Sequence, residues 1–252
     1  VALIDRGACA VSLKVDVATK AGAVAVVIAN NDQAHADTFF GPGAGDGARR
    51  VRIPSLMVSY NSGLALKALG TPTATARQLA VQPLQLDASL DSDIVYHEYC
   101  HGLTWRMIGG MSGPVAGAIG EGMADGCSML INGDDKVGEY SASNPNGIRR
   151  FPYAGYPLTY ADVNGAEVHD DGEIYAAIVW SLITRFDAAY PGTGRDRLFG
   201  YLVDGMNFTP ATPMFEDMRS GILQAVGGTP GSADRCHVWR AFAQFGVGDG
   251  SS

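Results

Sequence analysis

The chain has 252 residues, 46% of them hydrophobic and 17% charged, with 33 glycines and a formal net charge of −8. The apolar share supports a packed core and excludes wholesale disorder, and the length allows one large domain or two modest ones. The acidic balance argues against a nucleic-acid or anionic-membrane footprint, which needs clustered Lys and Arg, and the longest apolar run, residues 21–29, is too short to span a bilayer.

Residues 1–5 read as a strand, and this mid-strand opening, with no basic stretch ahead of it, shows no signal peptide and suggests a processed or shortened chain. A helix is expected over 12–21, a Val/Ile-rich buried strand over 24–29 and a glycine-rich loop over 30–50. A strand over 51–59, a short helix over 62–69 and a last strand over 76–82 follow. Strands alternating with helices point to βαβ units and a partly parallel sheet. Gly43, Gly45, Gly47 and Ala48 fit a loose dinucleotide-loop pattern, but a strand follows them where that loop opens a helix, so a plain loop is the better account.

The texture changes near residue 85. Beyond it the apolar residues recur at helical spacing, over 91–107, 116–131, 173–189, 195–204, 215–226 and 232–245. Asp91, Ser92 or Asp93 caps the first of these, and Ser232 the last. The fold class is therefore α+β: an α/β domain over 1–84, then a mainly helical domain over 85–252. The four cysteines, Cys9, Cys100, Cys127 and Cys236, form no CxxC pair and are too scattered for a disulfide scaffold. They read as buried free thiols or a single disulfide, and the sequence leaves both open.

The chemistry concentrates in His97-Glu98-Tyr99-Cys100-His101. Residues i and i+4 share one face of a helix, so two imidazoles there suit one Zn²⁺. Glu98 stands beside the first of them, where its carboxylate can take a proton from an activated water. Twenty residues after His101 comes Glu121, across a turn containing Gly109, Gly110, Gly113 and Pro114 that folds two helices antiparallel. Glu121 completes a His₂Glu ligand set with an open fourth position, the arrangement of catalytic zinc. Asp125, one turn beyond Glu121, is placed to accept the other ring N–H of His97. Asn132, Asp134, Asp135 and Glu139 are oxygen-bearing and suit Ca²⁺ by type, but without EF-hand spacing a solvated turn is the better reading.

These motifs, with Gly147-Ile148-Arg149-Arg150-Phe151-Pro152-Tyr153, Glu167-Val168-His169-Asp170-Asp171-Gly172-Glu173 and the run from Cys236 to Ala243, resemble the fungalysin metallopeptidases. That family comprises secreted, thermolysin-like zinc endopeptidases. The resemblance covers residues 85–248 and implies an extracellular enzyme acting on protein or peptide substrates. It implies that His169 stabilises the oxyanion, that Arg149 binds a substrate carbonyl with Arg150 as the fallback, and that the preceding β-rich lobe is replaced here by something else. No tyrosine lies between His101 and Glu121, where thermolysin-like enzymes place one, which leaves Tyr153 or Tyr156 as substitutes. Val1 to Gly7, Lys14-Val15, Ala21-Gly22-Ala23 and Ile53-Pro54-Ser55 resemble a protease-associated (PA) domain, which implies protein binding or control of substrate access. The alternative is a non-catalytic binding module, a PA domain joined to a zinc-stabilised helical remnant. A dead scaffold has no need of Glu98.

Overall fold

The computed structural model describes residues 1–7, 9–33, 51–70, 73, 75, 86–229 and 231–250. The chain divides into two units, Val1–Val81 and Gln82–Ser252.

In the first unit the strands β1 (Ala2–Asp5), β2 (Val26–Ala29) and β3 (Ser55–Val58) form a parallel sheet in the order β1-β2-β3. Ala2 pairs with Val26 and Val26 with Ser55. Parallel neighbours need a crossover, and α1 (Val11–Lys20) supplies it between β1 and β2; α2 (Tyr60–Ala68) follows β3. Val15 and Ala18 of α1 bury against Val26 and Ile28. Two strands are shorter than the apolar runs predict. Val24 is 71% exposed and stays outside the sheet. Pro54 has no N–H to give a ladder, and Ser59 is occupied as the cap of α2, its Oγ accepting from the Ser62 N–H at 3.2 Å. The strand expected over 76–82, most of the 30–50 loop and the glycine pattern at 43–48 lie outside the described residues.

The second unit is helical: α3 (Ser92–Ile108), α4 (Pro114–Asn132), α5 (Glu139–Ala142), α6 (Val168–Ala189), α7 (Gly194–Met206), α8 (Phe215–Val226) and α9 (Ala233–Gln244). The molecule thus combines a small parallel sheet with a larger helical body, in keeping with an α+β class. None of the described helices is long and apolar enough to cross a membrane. The core of the unit lies on α4 and α6, where Ile119, Met123, Tyr175, Ile178 and Phe186 are wholly buried with Phe215 and Phe242. α4 and α6 approach through glycines: a Cβ on Gly122 would meet Tyr175 Cβ at 2.8 Å and the Ala176 nitrogen at 2.9 Å.

α6 starts five residues before the helix expected over 173–189. Its cap is Glu167, whose carboxylate accepts the N–H groups of His169 and Asp170 at 2.8 and 3.0 Å. Glutamate is a less usual cap than Ser, Thr, Asp or Asn, and Asp170-Asp171-Gly172 has the composition of a turn. Gly172 is helical because α4 passes so close, a Cβ there meeting Glu121 Cβ at 2.8 Å.

Candidate metal centre

Local sequence sets the two helices that face each other at the site. Asp91 caps α3 through the Asp93 N–H at 3.0 Å, and Gly109 ends the helix in the left-handed conformation, with φ 80°. Pro114 opens α4 at a position that needs no N–H donor, and Gly133 closes it with φ 87°. Asp93 ties the start of α3 to the end of α4, accepting from Ser128 Oγ at 2.9 Å and from Asn132 Nδ2. A disulfide between Cys100 and Cys127 joins the same helices further along.

Between these ties three donor groups converge. His97 Nε2 lies 3.0 Å from His101 Nε2 and 3.3 Å from Glu121 Oε2, and His101 Nε2 lies 3.6 Å from the same oxygen. Among the described residues this is the one group of three or more His, Cys, Asp or Glu side chains gathered tightly enough to hold a metal ion. The separations fit a tetrahedral ion. Ligand bonds of about 2.0–2.1 Å at tetrahedral angles put neighbouring ligand atoms about 3.3–3.4 Å apart. Glu121 Oε2 is buried without a hydrogen-bond partner, as is His101 Nδ1. A buried orphan carboxylate oxygen facing two ring nitrogens is costly in a protein, and a cation resolves it.

The groups behind the donors set their charge. His97 Nδ1 bonds Asp125 Oδ1 at 2.7 Å, which leaves Nε2 facing Glu121. Burial would lower the pKa of His97, but the hydrogen bond to Asp125 and the nearby carboxylate of Glu121 outweigh it and raise the pKa to about 9. A divalent cation enters such a set by displacing that proton. Burial likewise works against the Glu121 carboxylate, and His101, His97 and the charge of His169 overcome it, holding its pKa far below the ordinary range. Asp125 is also held far down. Against its complete burial stand the charge of Arg149 and the hydrogen bond to His97.

His169 lies in the first turn of α6, not ahead of the helix. Its Nε2 is 3.4 Å from Glu121 Oε2, and its Nδ1 bonds Glu167 Oε1 at 2.7 Å. Glu167 therefore caps α6 and orients His169 at once. No role was expected for it; its place two residues before a candidate histidine was the available signal. Glu98 is exposed and makes no hydrogen bond or ion pair with the described residues.

Several expectations change. Arg149 is not an open cation beside the metal: its Nε and Nη2 fork onto Asp125 at 2.7 and 2.9 Å. Arg150, the fallback, spends its Nε on Glu173 at 3.1 Å and Nη2 on Tyr156 at 3.2 Å. Neither tyrosine offered as an oxyanion donor is free for it. Tyr153 is buried with its hydroxyl on Asp125, and the Tyr156 hydroxyl donates to Glu173 at 2.7 Å. The four residues considered for calcium each have protein neighbours: Glu139 lies beside Asp134 and Asp93, and its burial and these acids raise its pKa. Asn132 is tied to Asp93, Asp134 accepts from the Lys136 N–H at 3.3 Å, and Asp135 from the Ala154 N–H at 3.2 Å. Of the two readings left open for the cysteines, the single disulfide holds, between Cys100 and Cys127.

Comparison with known proteins points the same way. The family model described as Fungalysin metallopeptidase (M36) matches residues 33–251. An extracellular metalloproteinase MEP of Pyricularia oryzae is 34% identical over 201 residues, 66% of this chain and 32% of its own length. An extracellular metalloproteinase of Aspergillus terreus is 33% identical over 196 residues, 65% of this chain and 31% of its own. An extracellular metalloproteinase 3 of Trichophyton soudanense is 32% identical over 198 residues, 66% of this chain and 51% of its own. The chain thus spans about a third of the length of the first two of these relatives and half of the third.

Proposed function

Because the chain belongs to the fungalysin metallopeptidase family, we propose that it carries the zinc centre of an extracellular endopeptidase, with His97, His101 and Glu121 as ligands. The observation that carries this reading is the convergence of the two imidazoles on a buried carboxylate oxygen that accepts no hydrogen bond. When bound there, zinc supplies Lewis acidity toward a scissile carbonyl and toward an attacking water. Glu98, uncommitted on the exposed side of α3, takes the proton of that water and passes it to the leaving amine. His169, oriented by its Nδ1–H bond to Glu167, donates Nε2–H to the oxyanion in its doubly protonated form. Asp125 holds the His97 ring so that Nε2 faces the metal, and Arg149 holds Asp125. Any contact of Arg149 with a substrate carbonyl would use the donors that this fork leaves.

The disulfide between two buried cysteines suits an oxidising compartment, as the names of the extracellular relatives do for them. The parallel sheet with α1 and α2 supports reading residues 1–84 as a PA-like domain that binds protein or regulates access to the cleft. The whole enzyme's substrates are proteins or peptides.

The test is zinc content per purified chain. One zinc per native chain and near none in His101→Ala is the expected result. A folded native chain that takes up no zinc on reconstitution would overturn the assignment and leave a binding module in its place.

A further inference from the structure

The metal site draws its ligands from two helices, and its geometry is only as good as the alignment of α3 with α4. His97 and His101 fix one side and Glu121 the other. The aligning device is covalent. Cys100 directly precedes the ligand His101 on α3, and Cys127 lies six residues beyond Glu121 on α4, two beyond Asp125. Both cysteines are 1% exposed, within the core. The Thr104 hydroxyl bonds the Cys100 carbonyl at 2.9 Å, closing the helix over the crosslink. Beside the apolar packing of the two helices, the hydrogen bonds across this pair are side-chain borne: Asp93 with Ser128 and Asn132, and His97 with Asp125. Each of those ties can open by a rotamer change; the disulfide cannot.

We propose that the Cys100–Cys127 disulfide is a positioning element of the metal centre, holding α3 and α4 in the register at which His97, His101 and Glu121 meet one ion. The inference rests on the zinc reading above and goes beyond it by assigning metal retention to a bond that touches neither ion nor substrate. Without the crosslink the ion itself must order the two helices, so part of its binding free energy goes into that ordering. The remaining cysteines, Cys9 and Cys236, are free thiols and take no part.

The experiment compares the native chain with Cys100→Ala/Cys127→Ala, both first assayed for one zinc per chain. A native chain without zinc would count against the zinc reading itself, before the crosslink is tested. Zinc transfer to a chromophoric chelator is then timed, and the Tm is measured with and without zinc. Release about 10–100-fold faster is expected, the range seen when groups supporting metal ligands are changed. The rise in Tm on adding zinc should also shrink, since that rise reports affinity for the folded state. A merely structural crosslink lowers the Tm of both forms equally and leaves the release rate untouched; that outcome overturns the proposal.

If the double variant does not fold, the native chain supplies the test by reciprocity. Dithiothreitol converts the disulfide to two thiols and is itself oxidised to its cyclic disulfide; N-ethylmaleimide then traps the thiols for mass spectrometry. Trapping at Cys100 and Cys127 at least tenfold faster in the zinc-stripped chain than in the zinc-loaded one supports the coupling. Equal rates overturn it.

Discussion

At Glu98 an exposed carboxylate stands on the same helix as two buried or half-buried imidazoles, yet it bonds to none of the described residues. Its neighbour His97 is committed at both ring nitrogens, to Asp125 and toward Glu121. On the proposed assignment, this division separates proton transfer from metal holding. Glu98→Gln should therefore leave zinc content unchanged while lowering peptidase kcat/KM by about 10²–10⁴-fold, the usual worth of a general base. A Glu98→Gln chain that keeps full activity and full zinc would sink the assignment. The grouping of His97 with His101, and of Glu121 with Asp125, was legible from spacing, because one helical turn dictates which side chains share a face. The committed state of Arg149 was not. A guanidinium within a basic pair looks like surface charge until the fold brings Asp125, 24 residues upstream, within 2.7 Å.

Among the elements, α4 and α6 set the depth of the site. α6 carries His169, α4 carries Glu121, and glycines let their backbones nearly touch. A Cβ at Gly122 would press on the backbone oxygen of Gly172 and the nitrogen of Ala176. Those atoms cannot rotate away, so one helix must shift. In Gly122→Ala the better helix propensity of alanine, up to about 1 kcal/mol, works against an overpacking cost of about 1–3 kcal/mol. The variant should be less stable by about 1–2 kcal/mol in urea titration of the metal-free chain. Equal or greater stability would mean that the helices are not locked at this spacing. All the described helices of the second unit except the four-residue α5 were legible, because their apolar periodicity is long. The start of α6 was not. An acidic, glycine-containing stretch carries no apolar period, and the contact that keeps Gly172 helical comes from another helix.

For the molecule as a whole, long-range order in the helical unit depends on a few buried acids. Asp234, at the start of α9, accepts from the Tyr190 hydroxyl at 2.5 Å, Arg197 Nε at 2.8 Å and the Tyr201 hydroxyl at 2.8 Å. It thereby joins α9 to α7 and to the end of α6. Burial would raise its pKa, but those hydrogen bonds prevail and it lies below the ordinary 3.8. A lowered folded pKa contributes stability that is fully present above the unfolded value and is lost as pH falls through the folded one. The stability gap between the metal-free native chain and Asp234→Asn should be full near neutral pH and narrow progressively below about pH 4. A gap that stays constant across that range would show that the aspartate's charge is not what ties the helices. None of these partners was foreseen, since they lie 33 to 44 residues from Asp234 along the chain.

Trp105 stands one turn beyond His101, with ring centroids 6.1 Å apart, and is 61% exposed. The other two tryptophans, Trp180 and Trp239, sit on α6 and α9. The centre therefore has an indole beside it that emits light without being bound into the ligand set. A coloured ion such as Co²⁺ in the zinc position would drain the excited state of Trp105 by energy transfer, so that occupancy of the site can be followed as a loss of emission in the intact, unlabelled protein.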